Sequence, residues 1–139
     1  RSDELGINDN VTVLGWVAGE QKVREIEQAE IFCLPSYHEQ MPMSLLEAMS
    51  AQQAIIASRV GGIPDVIDHG ENGLLFTPGD ERPVCRNLQW LMSNEQEKNK
   101  LSLSAKKHFE QRFCEQVIMS QLQQIYQALN SNYELNNAN

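Results

Sequence analysis

The chain has few cysteines, no long apolar stretch and no excess of basic residues, and each absence excludes a class of protein. Its three cysteines, Cys33, Cys85 and Cys114, are widely spaced. That pattern suggests neither a disulfide framework nor a zinc site, and it fits a reducing compartment. No apolar run approaches the roughly 20 residues of a membrane-spanning helix, and RSDELGINDN at the start lacks a signal-peptide core. We therefore expect a cytoplasmic protein, with peripheral contact at the inner membrane face as an option for a longer parent chain.

The length and charge of the chain limit the number of domains and the kinds of partner that we expect. At 139 residues and 41% hydrophobic composition, the sequence can form one compact domain with a sizeable core. The 11 Lys and Arg residues against 19 Asp and Glu residues give a formal net charge of −8. An acidic surface of this kind disfavours nonspecific binding to nucleic acids or to anionic membranes. We expect no nucleic-acid partner.

Four short apolar runs alternate with segments of helical character. The runs cover residues 11–17, 31–36, 54–58 and 73–77, are rich in β-branched or aromatic residues, and are bounded by Gly, Pro or polar residues. Such runs are typical of parallel strands that are buried on both faces. The helical segments between them are predicted at 19–29, 42–52 and 63–69. The alternation predicts an α/β fold with a partial Rossmann-like parallel sheet and flanking helices.

The remainder of the chain is predicted to be helical. Asp80 follows a Pro-Gly turn and is placed to cap a helix that runs to Ser93. Asn94 and Glu97 resemble a capping box for a second helix that ends near Arg112. Apolar residues spaced three and four apart over 117–129 predict a third. We assign residues 1–130 to the domain and 131–139, which are polar and rich in asparagine, to a disordered tail.

Two carboxylates bracket the predicted start of the helix at 42–52. Glu39 and Glu47 lie eight positions apart, and Pro42 between them suits the first helical turn. A helix start offers free backbone N–H groups and a partial positive charge, so it can bind a phosphate while the carboxylates accept hydrogen bonds from hydroxyl groups. A sugar nucleotide carries this combination of groups. On spacing alone, solvated glutamates of a loop and an amphipathic helix are the more common arrangement.

The surrounding residues match a known family. The stretch LPSYHEQMPMSLLEAMSAQQAIIASRVGGIPDVIDHGENGLLFTPGD resembles the C-terminal domain of the family 4 (group 1) retaining glycosyltransferases, which have the GT-B fold. The shared pattern is a strand ending in PS, a Glu, seven intervening residues, Glu-Ala-Met, a strand, a VGG-x-P loop, and a G-x-NG strand before a PGD turn. The match covers residues 11–82. An α/β sheet of this type normally has a strand and phosphate loop before these elements, so we expect that the domain lacks its first strands.

The resemblance implies specific roles for the residues around this helix start. Glu39 matches the glutamate that contacts hydroxyls of the donor sugar, and it is the residue expected to be catalytic. Glu47 matches the glutamate that holds the ribose of the nucleotide. Met43, Ser44 and Leu45 match the positions whose backbone N–H groups approach the diphosphate.

The glycine pair after the third apolar run has two possible roles. Gly61 and Gly62 match the VGG loop and could contact the donor, or they could form a turn that serves only the fold. The sequence also departs from the family pattern nearby. Gln40 replaces a usual Gly after Glu39, and Gln52-Gln53-Ala54 replaces a usual Gly-x-Pro. These departures put the sugar specificity in question.

The resemblance implies retaining transfer of a hexose from a nucleotide diphosphate sugar to a glycan or lipid-linked acceptor in bacterial polysaccharide biosynthesis, without metal or cofactor. The family supplies an Arg and a Lys for the diphosphate from an earlier segment, and its acceptor site from an N-terminal domain. Nothing before Val11 matches the Arg and Lys, and Lys22, Arg24 and Arg59 lie outside the matching motif. We expect the chain alone to be inactive, and the open edge of an incomplete sheet predicts a homodimer.

Two other interpretations remain open from the sequence. The glutamates could be the acid and base of a glycoside hydrolase, although a helix start would favour two ionised carboxylates where that reaction needs one raised pKa. The chain could also be a non-catalytic sugar-nucleotide or structural module, and Gln40 and Gln52-Gln53 support this alternative. His38 is the one histidine near the pair, and we interpret it as a pocket-wall or surface residue.

Overall fold

The computed structural model describes residues 2–137, with side chains for residues 2–130. Five helices and three strands form the described part of the chain. In chain order they are α1 (Gly19–Gln28), β1 (Ile31–Leu34), α2 (Met43–Ser50), β2 (Ala54–Ser58), β3 (Leu74–Phe76), α3 (Glu81–Ser93), α4 (Glu95–Arg112) and α5 (Glu115–Asn137). The alternation of strands and helices up to α3, followed by helices alone, confirms the predicted α/β class and its helical C-terminus.

The three strands form one parallel sheet in the order β1-β2-β3. Ile31 of β1 is in register with Ala54 of β2, and Ile56 of β2 is in register with Leu74 of β3. All five residues of β2 and all three of β3 are buried, as expected for parallel strands covered on both faces. The carboxyl ends of the strands therefore lie along one edge of the sheet, where α/β proteins bind ligands.

The core is divided between the two faces of the sheet. On one face, Ile55, Ala57 and Leu75 pack with the buried side of α2 and with Ala105 of α4. On the other face, the alternate strand residues pack against α3 and α4; this second cluster contains Ala54, Ile56, Leu74, Phe76, Leu91 and Leu101. The inward packing of α2 from one side fixes where its N-terminus lies relative to the sheet edge.

The prediction of a strand over residues 11–17 is wrong. This segment joins no sheet, Gly15 within it has a φ of +65°, and Val13 and Trp16 expose 86% and 95% of their surface. A parallel strand forms only when a neighbouring strand accepts its backbone hydrogen bonds. In doubly wound sheets consecutive runs are not always neighbours, and the described residues provide no strand beside this one.

The predicted helix over 63–69 is also wrong, because only a single 3₁₀ turn forms, at Ile63–Asp65. The chain then enters a loop that side chains stabilise. The buried Asn72 accepts a hydrogen bond from the Asp68 N–H at 2.8 Å and donates to the Val66 carbonyl at 3.1 Å. These side-chain bonds replace the backbone bonds that a longer helix would have made.

The two predicted helix caps have different outcomes. Asp80 caps α3 as predicted, and its Oδ1 accepts a hydrogen bond from the Arg82 N–H at 3.1 Å. Asn94 precedes α4 but does not form the predicted capping box with Glu97, since its amide donates to the Trp90 carbonyl at 2.7 Å. Asn94 stands between two consecutive helices, and its side chain satisfies the end of the first one.

The last helix runs past the apolar positions that predicted it. Its apolar pattern ended at Leu129, whereas α5 extends to Asn137. The predicted disordered tail at 131–139 stays a prediction, because its side chains and residues 138 and 139 lie outside the described residues. Within the described part of the chain, every helix is too short or too polar to cross a membrane.

Candidate functional site

Two loops meet at the carboxyl edge of the sheet. The first connects β1 to α2 over residues 35–42, and the second follows β2 over residues 59–62. The Gly62 N–H donates a hydrogen bond to the Gln40 carbonyl at 2.8 Å and joins the two loops. The segment that carries Glu39 is thus held from the side by the loop of the neighbouring strand.

Both glycines of the second loop are required by this approach. Gly61 has a φ of +52°, and a Cβ on it would lie 1.6 Å from the Glu39 carbonyl oxygen. A Cβ on Gly62 would lie 2.3 Å from the Gln40 carbonyl oxygen. Any side chain at either position would displace the first loop. The glycine pair therefore positions the loop of Glu39, and its direct contact with a donor stays a prediction.

Glu39 lies beside an open cavity of about 500 Å³. Its side chain is half-buried, and Oε1 accepts a hydrogen bond from the Ser36 hydroxyl at 3.0 Å. The cavity is lined by Tyr37, His38, Glu39, Gln40, Val60 and Gly61. His38 and Gln40 are exposed on its wall, and for His38 this agrees with the interpretation from the sequence. The cavity is within the size range of small-molecule sites and offers a carboxylate as hydrogen-bond acceptor.

The N-terminus of α2 opens at the same sheet edge. Pro42 is its N-cap, with extended backbone angles, and not a residue of the first turn as we expected. The Leu45 N–H donates to the Pro42 carbonyl at 3.0 Å, and the Leu45 side chain is fully buried. Among the described residues, no acceptor binds the N–H groups of Met43 and Ser44. These two groups are therefore the ones available to an anion, whereas the N–H of Leu45, which we predicted as a third donor, already bonds to Pro42.

Glu47 lies about one turn further along α2 and forms an ion pair with Lys22 of α1. Lys22 Nζ is 2.7 Å from Glu47 Oε1. The second carboxylate oxygen, Oε2, is buried and has no hydrogen-bond partner among the described residues. The two side chains line a cavity of about 300 Å³ between α1 and α2, together with Val23, Ile26, Glu27, Ser50 and Ala51.

Five of the predicted site residues lie on one connection of the fold, the loop and helix that follow β1: Glu39, Met43, Ser44, Leu45 and Glu47. Gly61 and Gly62 lie on the loop after β2. The two glutamates line separate cavities. Sequence reasoning missed Ser36, although its position three residues before Glu39 could have suggested the hydrogen bond. It also missed Lys22, because the Lys22–Glu47 contact joins residues 25 apart on separate helices and no local pattern signals it.

The two glutamines that replace the family's Gly-x-Pro take separate roles at the end of α2. Gln52 has a φ of +62°, which glycine adopts without strain. Gln53 is buried, and its amide donates a hydrogen bond to the Ile26 carbonyl of α1. Gln53 thus attaches α1, which has no buried residue of its own, to the end of α2.

Three other titratable side chains, His69, Asp80 and Cys33, are held by hydrogen bonds or by burial outside the candidate site. His69 Nδ1 accepts a hydrogen bond from the Leu75 N–H at 2.9 Å, which places this histidine in a turn and not at the site. The side-chain hydrogen bond from Arg82 holds the pKa of Asp80 below its usual range. Burial in β1 raises the pKa of the Cys33 thiol.

Comparison with known sequences identifies the family. The sequence profile described as "Glycosyl transferases group 1" matches residues 1–108. The chain is 30% identical over 125 residues to the MMP alpha-(1->4)-mannosyltransferase of Mycolicibacterium hassiacum, covering 89% of this chain and 30% of the relative. It is 33% identical over 123 residues to the N-acetyl-alpha-D-glucosaminyl L-malate synthase of Bacillus anthracis, covering 88% and 32%. The chain thus spans about a third of the length of these relatives.

Solved structures share the fold. A sucrose-phosphate synthase from Thermosynechococcus elongatus superposes with a TM-score of 0.84 at 26% identity, over 94% of this chain and 33% of that one. The C-terminal domain of a group 1 glycosyl transferase (LpcC) from Francisella tularensis superposes with a TM-score of 0.73 at 23% identity, over 81% and 58%. The chain belongs to the group 1 glycosyltransferase family and corresponds to part of the C-terminal domain of its GT-B fold.

Proposed function

We propose that the chain is the donor-binding part of a glycosyltransferase that uses a nucleotide diphosphate sugar. The observation that carries this proposal is the arrangement around the start of α2. The N–H groups of Met43 and Ser44 have no acceptor among the described residues, Glu39 precedes them in the loop, and Glu47 follows one turn into the helix. In this proposal the N–H groups bind the diphosphate, Glu47 accepts hydrogen bonds from the ribose, and Glu39 contacts the donor sugar. The buried Oε2 of Glu47 supports the ribose assignment, because an ionised oxygen without a donor is costly unless a ligand supplies one.

The chemistry of transfer fits a site of this kind. Negative charge grows on the departing diphosphate while the sugar becomes oxocarbenium-like. The helix N-terminus stabilises the first charge through its oriented N–H groups. In this proposal Glu39, which accepts a hydrogen bond from Ser36 and lines the cavity, stabilises the second charge. No metal or cofactor has a role in this proposal.

The activity of the whole protein is proposed from the family. We propose retaining transfer of a hexose to a glycan or lipid-linked acceptor that binds an N-terminal domain, in bacterial polysaccharide biosynthesis and in the cytoplasm. The printed names of the relatives include a mannosyltransferase and an amylovoran biosynthesis glycosyltransferase of Erwinia amylovora. The 139-residue chain alone is expected to be inactive, since the Arg and Lys expected for the diphosphate are not matched in it.

Calorimetric titration of the chain with UDP, GDP and their sugars tests the proposal. UDP is the first probe because a solved structure of the same fold, Anabaena HepE, was determined with UDP. Glu47→Ala should weaken nucleotide binding with little change in the unfolding temperature, since Glu47 is only partly buried and its ion pair with Lys22 is partly exposed to solvent. Glu39→Ala should weaken binding of the nucleotide sugar more than binding of the nucleotide alone. Glu25→Ala removes the same charge from α1 outside both cavities and serves as the matched control.

Two results would contradict the proposal. A folded chain that binds none of these nucleotides would instead favour the purely structural module. A Glu47→Ala variant that loses stability but keeps its affinity would show that Glu47 serves the fold. The family assignment gives no support to the glycoside hydrolase interpretation, and hydrolysis of a chromogenic glycoside by the chain would be needed to restore it.

A further inference from the structure

The carboxylate of Glu47 is held by one oxygen only. Lys22 Nζ lies 2.7 Å from Oε1, while Oε2 is buried and without a partner among the described residues. A short bond from an ammonium group to one oxygen restricts rotation of the carboxylate and so sets the direction of the other oxygen. Glu47 therefore presents a single, oriented acceptor.

The surroundings of the Lys22–Glu47 pair leave room for a ligand beside it. The cavity that both side chains line has apolar walls from Val23 and Ile26. Lys22 and Glu47 retain 42% and 35% of their side-chain exposure, but this exposure lies on atoms other than the buried Oε2, so a ligand that enters the cavity must displace the side chains that cover this oxygen. The hydroxyl groups of a ribose are donors that fit an oriented carboxylate oxygen.

We infer that Lys22 is a positioning residue for donor binding, which holds Oε1 of Glu47 so that Oε2 accepts hydrogen bonds from the ribose diol of a nucleoside diphosphate. This inference rests on the proposed function. It gives a role to a lysine that lies outside the family motif. Lys22 acts here through Glu47 and does not bind the phosphates.

A purely structural role makes a different prediction. The pair could serve only to attach α1 to α2, because α1 has no buried residue and its other side-chain link to this region is the Gln53 bond to the Ile26 carbonyl. In that case, loss of Lys22 would lower stability and would affect all nucleotides alike. A readout that depends on the ribose hydroxyls separates the two roles.

The experiment is calorimetric titration of the 139-residue chain with UDP and with a dideoxy analogue that lacks both ribose hydroxyls. Lys22→Met should weaken UDP binding about tenfold, the loss expected for one oriented charge-assisted hydrogen bond. It should leave binding of the analogue unchanged. Lys22→Arg should recover most of the affinity, since it restores a cation beside Glu47. Arg24→Met removes the same charge from an exposed position of α1 and should have no effect.

A double-mutant cycle with Glu47→Gln tests whether Lys22 acts through Glu47. Lys22→Met should cost affinity in the wild type and nothing further in the Glu47→Gln background. The inference is overturned if Lys22→Met weakens UDP and the analogue equally, if its cost persists without the Glu47 carboxylate, or if only the unfolding temperature changes. If the wild type binds neither UDP nor GDP nor their sugars, the proposed function fails and this inference fails with it.

Discussion

Gly61 lies so close to the backbone of Glu39 that a Cβ on it would fall 1.6 Å from the Glu39 carbonyl oxygen. The contact joins the loop after β2 to the loop after β1, and the Gly62 N–H bond to the Gln40 carbonyl strengthens it. The position of Glu39 therefore depends on the absence of a side chain at Gly61, which lies 22 residues later in the chain. Gly61 and Gly62 thus help to position Glu39 by allowing the two loops to pack closely together.

Substitution of Gly61 should damage the site more than the positive φ alone requires. Gly70 also has a positive φ, of +84°, but a Cβ there would meet nothing within 4 Å. Gly70→Ala should therefore cost only about 1 kcal/mol of stability, from the left-handed backbone. Gly61→Ala should lower the free energy of unfolding more than Gly70→Ala does. It should also weaken binding of the nucleotide sugar by about tenfold or more, because the Glu39 loop must move.

Denaturant unfolding and calorimetric titration of the two variants check this prediction. Gly70→Ala is the matched control, since it shares the backbone strain and lacks the contact with the loop. Equal stability and unchanged sugar binding in both variants would show that the close approach does not position Glu39.

The end of α2 offers a stabilising substitution. Gln52 has a φ of +62°, a conformation that costs a residue with a side chain more than it costs glycine. Gln52→Gly should raise the free energy of unfolding by about 1 kcal/mol. Gln89→Gly, in the exposed interior of α3, should lower it by about 1 kcal/mol. Denaturant titration of both variants measures the difference, and a destabilised Gln52→Gly would contradict the assigned strain.

The Asp80 cap of α3 predicts a dependence of stability on pH. Its side-chain hydrogen bond with Arg82 lowers the pKa of Asp80 in the folded protein. A lowered folded pKa means that this stabilisation is present above the ordinary pKa of Asp and is lost as the pH falls through the lowered value. Asp80→Asn keeps an oxygen for the Arg82 N–H but cannot ionise. It should be less stable than wild type at neutral pH and equal to it in strong acid.

Thermal unfolding of wild type and Asp80→Asn across this acid range measures the effect. The gap between the two unfolding temperatures should be constant near neutrality and should close in acid. A gap that does not change with pH would show that the charge of Asp80 does not stabilise the α3 cap.

The sequence predicted the parts of the fold that depend on local pattern. The run at 54–58 forms β2, because a strand that is buried on both faces is a continuous apolar run. Asp80 caps α3 as predicted, because a capping residue after a Pro-Gly turn is recognisable in the sequence. The run at 11–17 has the same apolar composition but failed as a strand, since pairing requires a neighbour that composition does not reveal. Asn94 failed as a capping box because the end of the preceding helix competes for its side chain.

The sequence likewise predicted only part of the candidate site. Glu39 and Glu47 could be found from their spacing around a helix start and from the family resemblance. Their partners could not, because Lys22 and Gly61 reach them across 25 and 22 residues of chain, respectively. The structure thus adds the groups that position the carboxylates, which is the information that sequence spacing lacks.

The free edge of β1 predicts self-association of the chain. Among the described residues, β1 pairs only with β2, and the apolar segment 11–17 exposes Val13 and Trp16. An unpaired edge with exposed apolar side chains favours contact with a second copy. Light scattering should therefore detect dimers as the concentration rises, and Trp16→Lys should reduce them. A wild-type chain that stays monomeric at every concentration would contradict this prediction.

The central claim is that the start of α2 and its two flanking glutamates bind the sugar nucleotide. A crystal structure of the chain with UDP bound tests it most directly. We expect the diphosphate within hydrogen-bond distance of the Met43 and Ser44 N–H groups, and a ribose hydroxyl on the Glu47 Oε2 that has no partner among the described residues. A nucleotide bound elsewhere, with Oε2 still unpaired, would contradict the account.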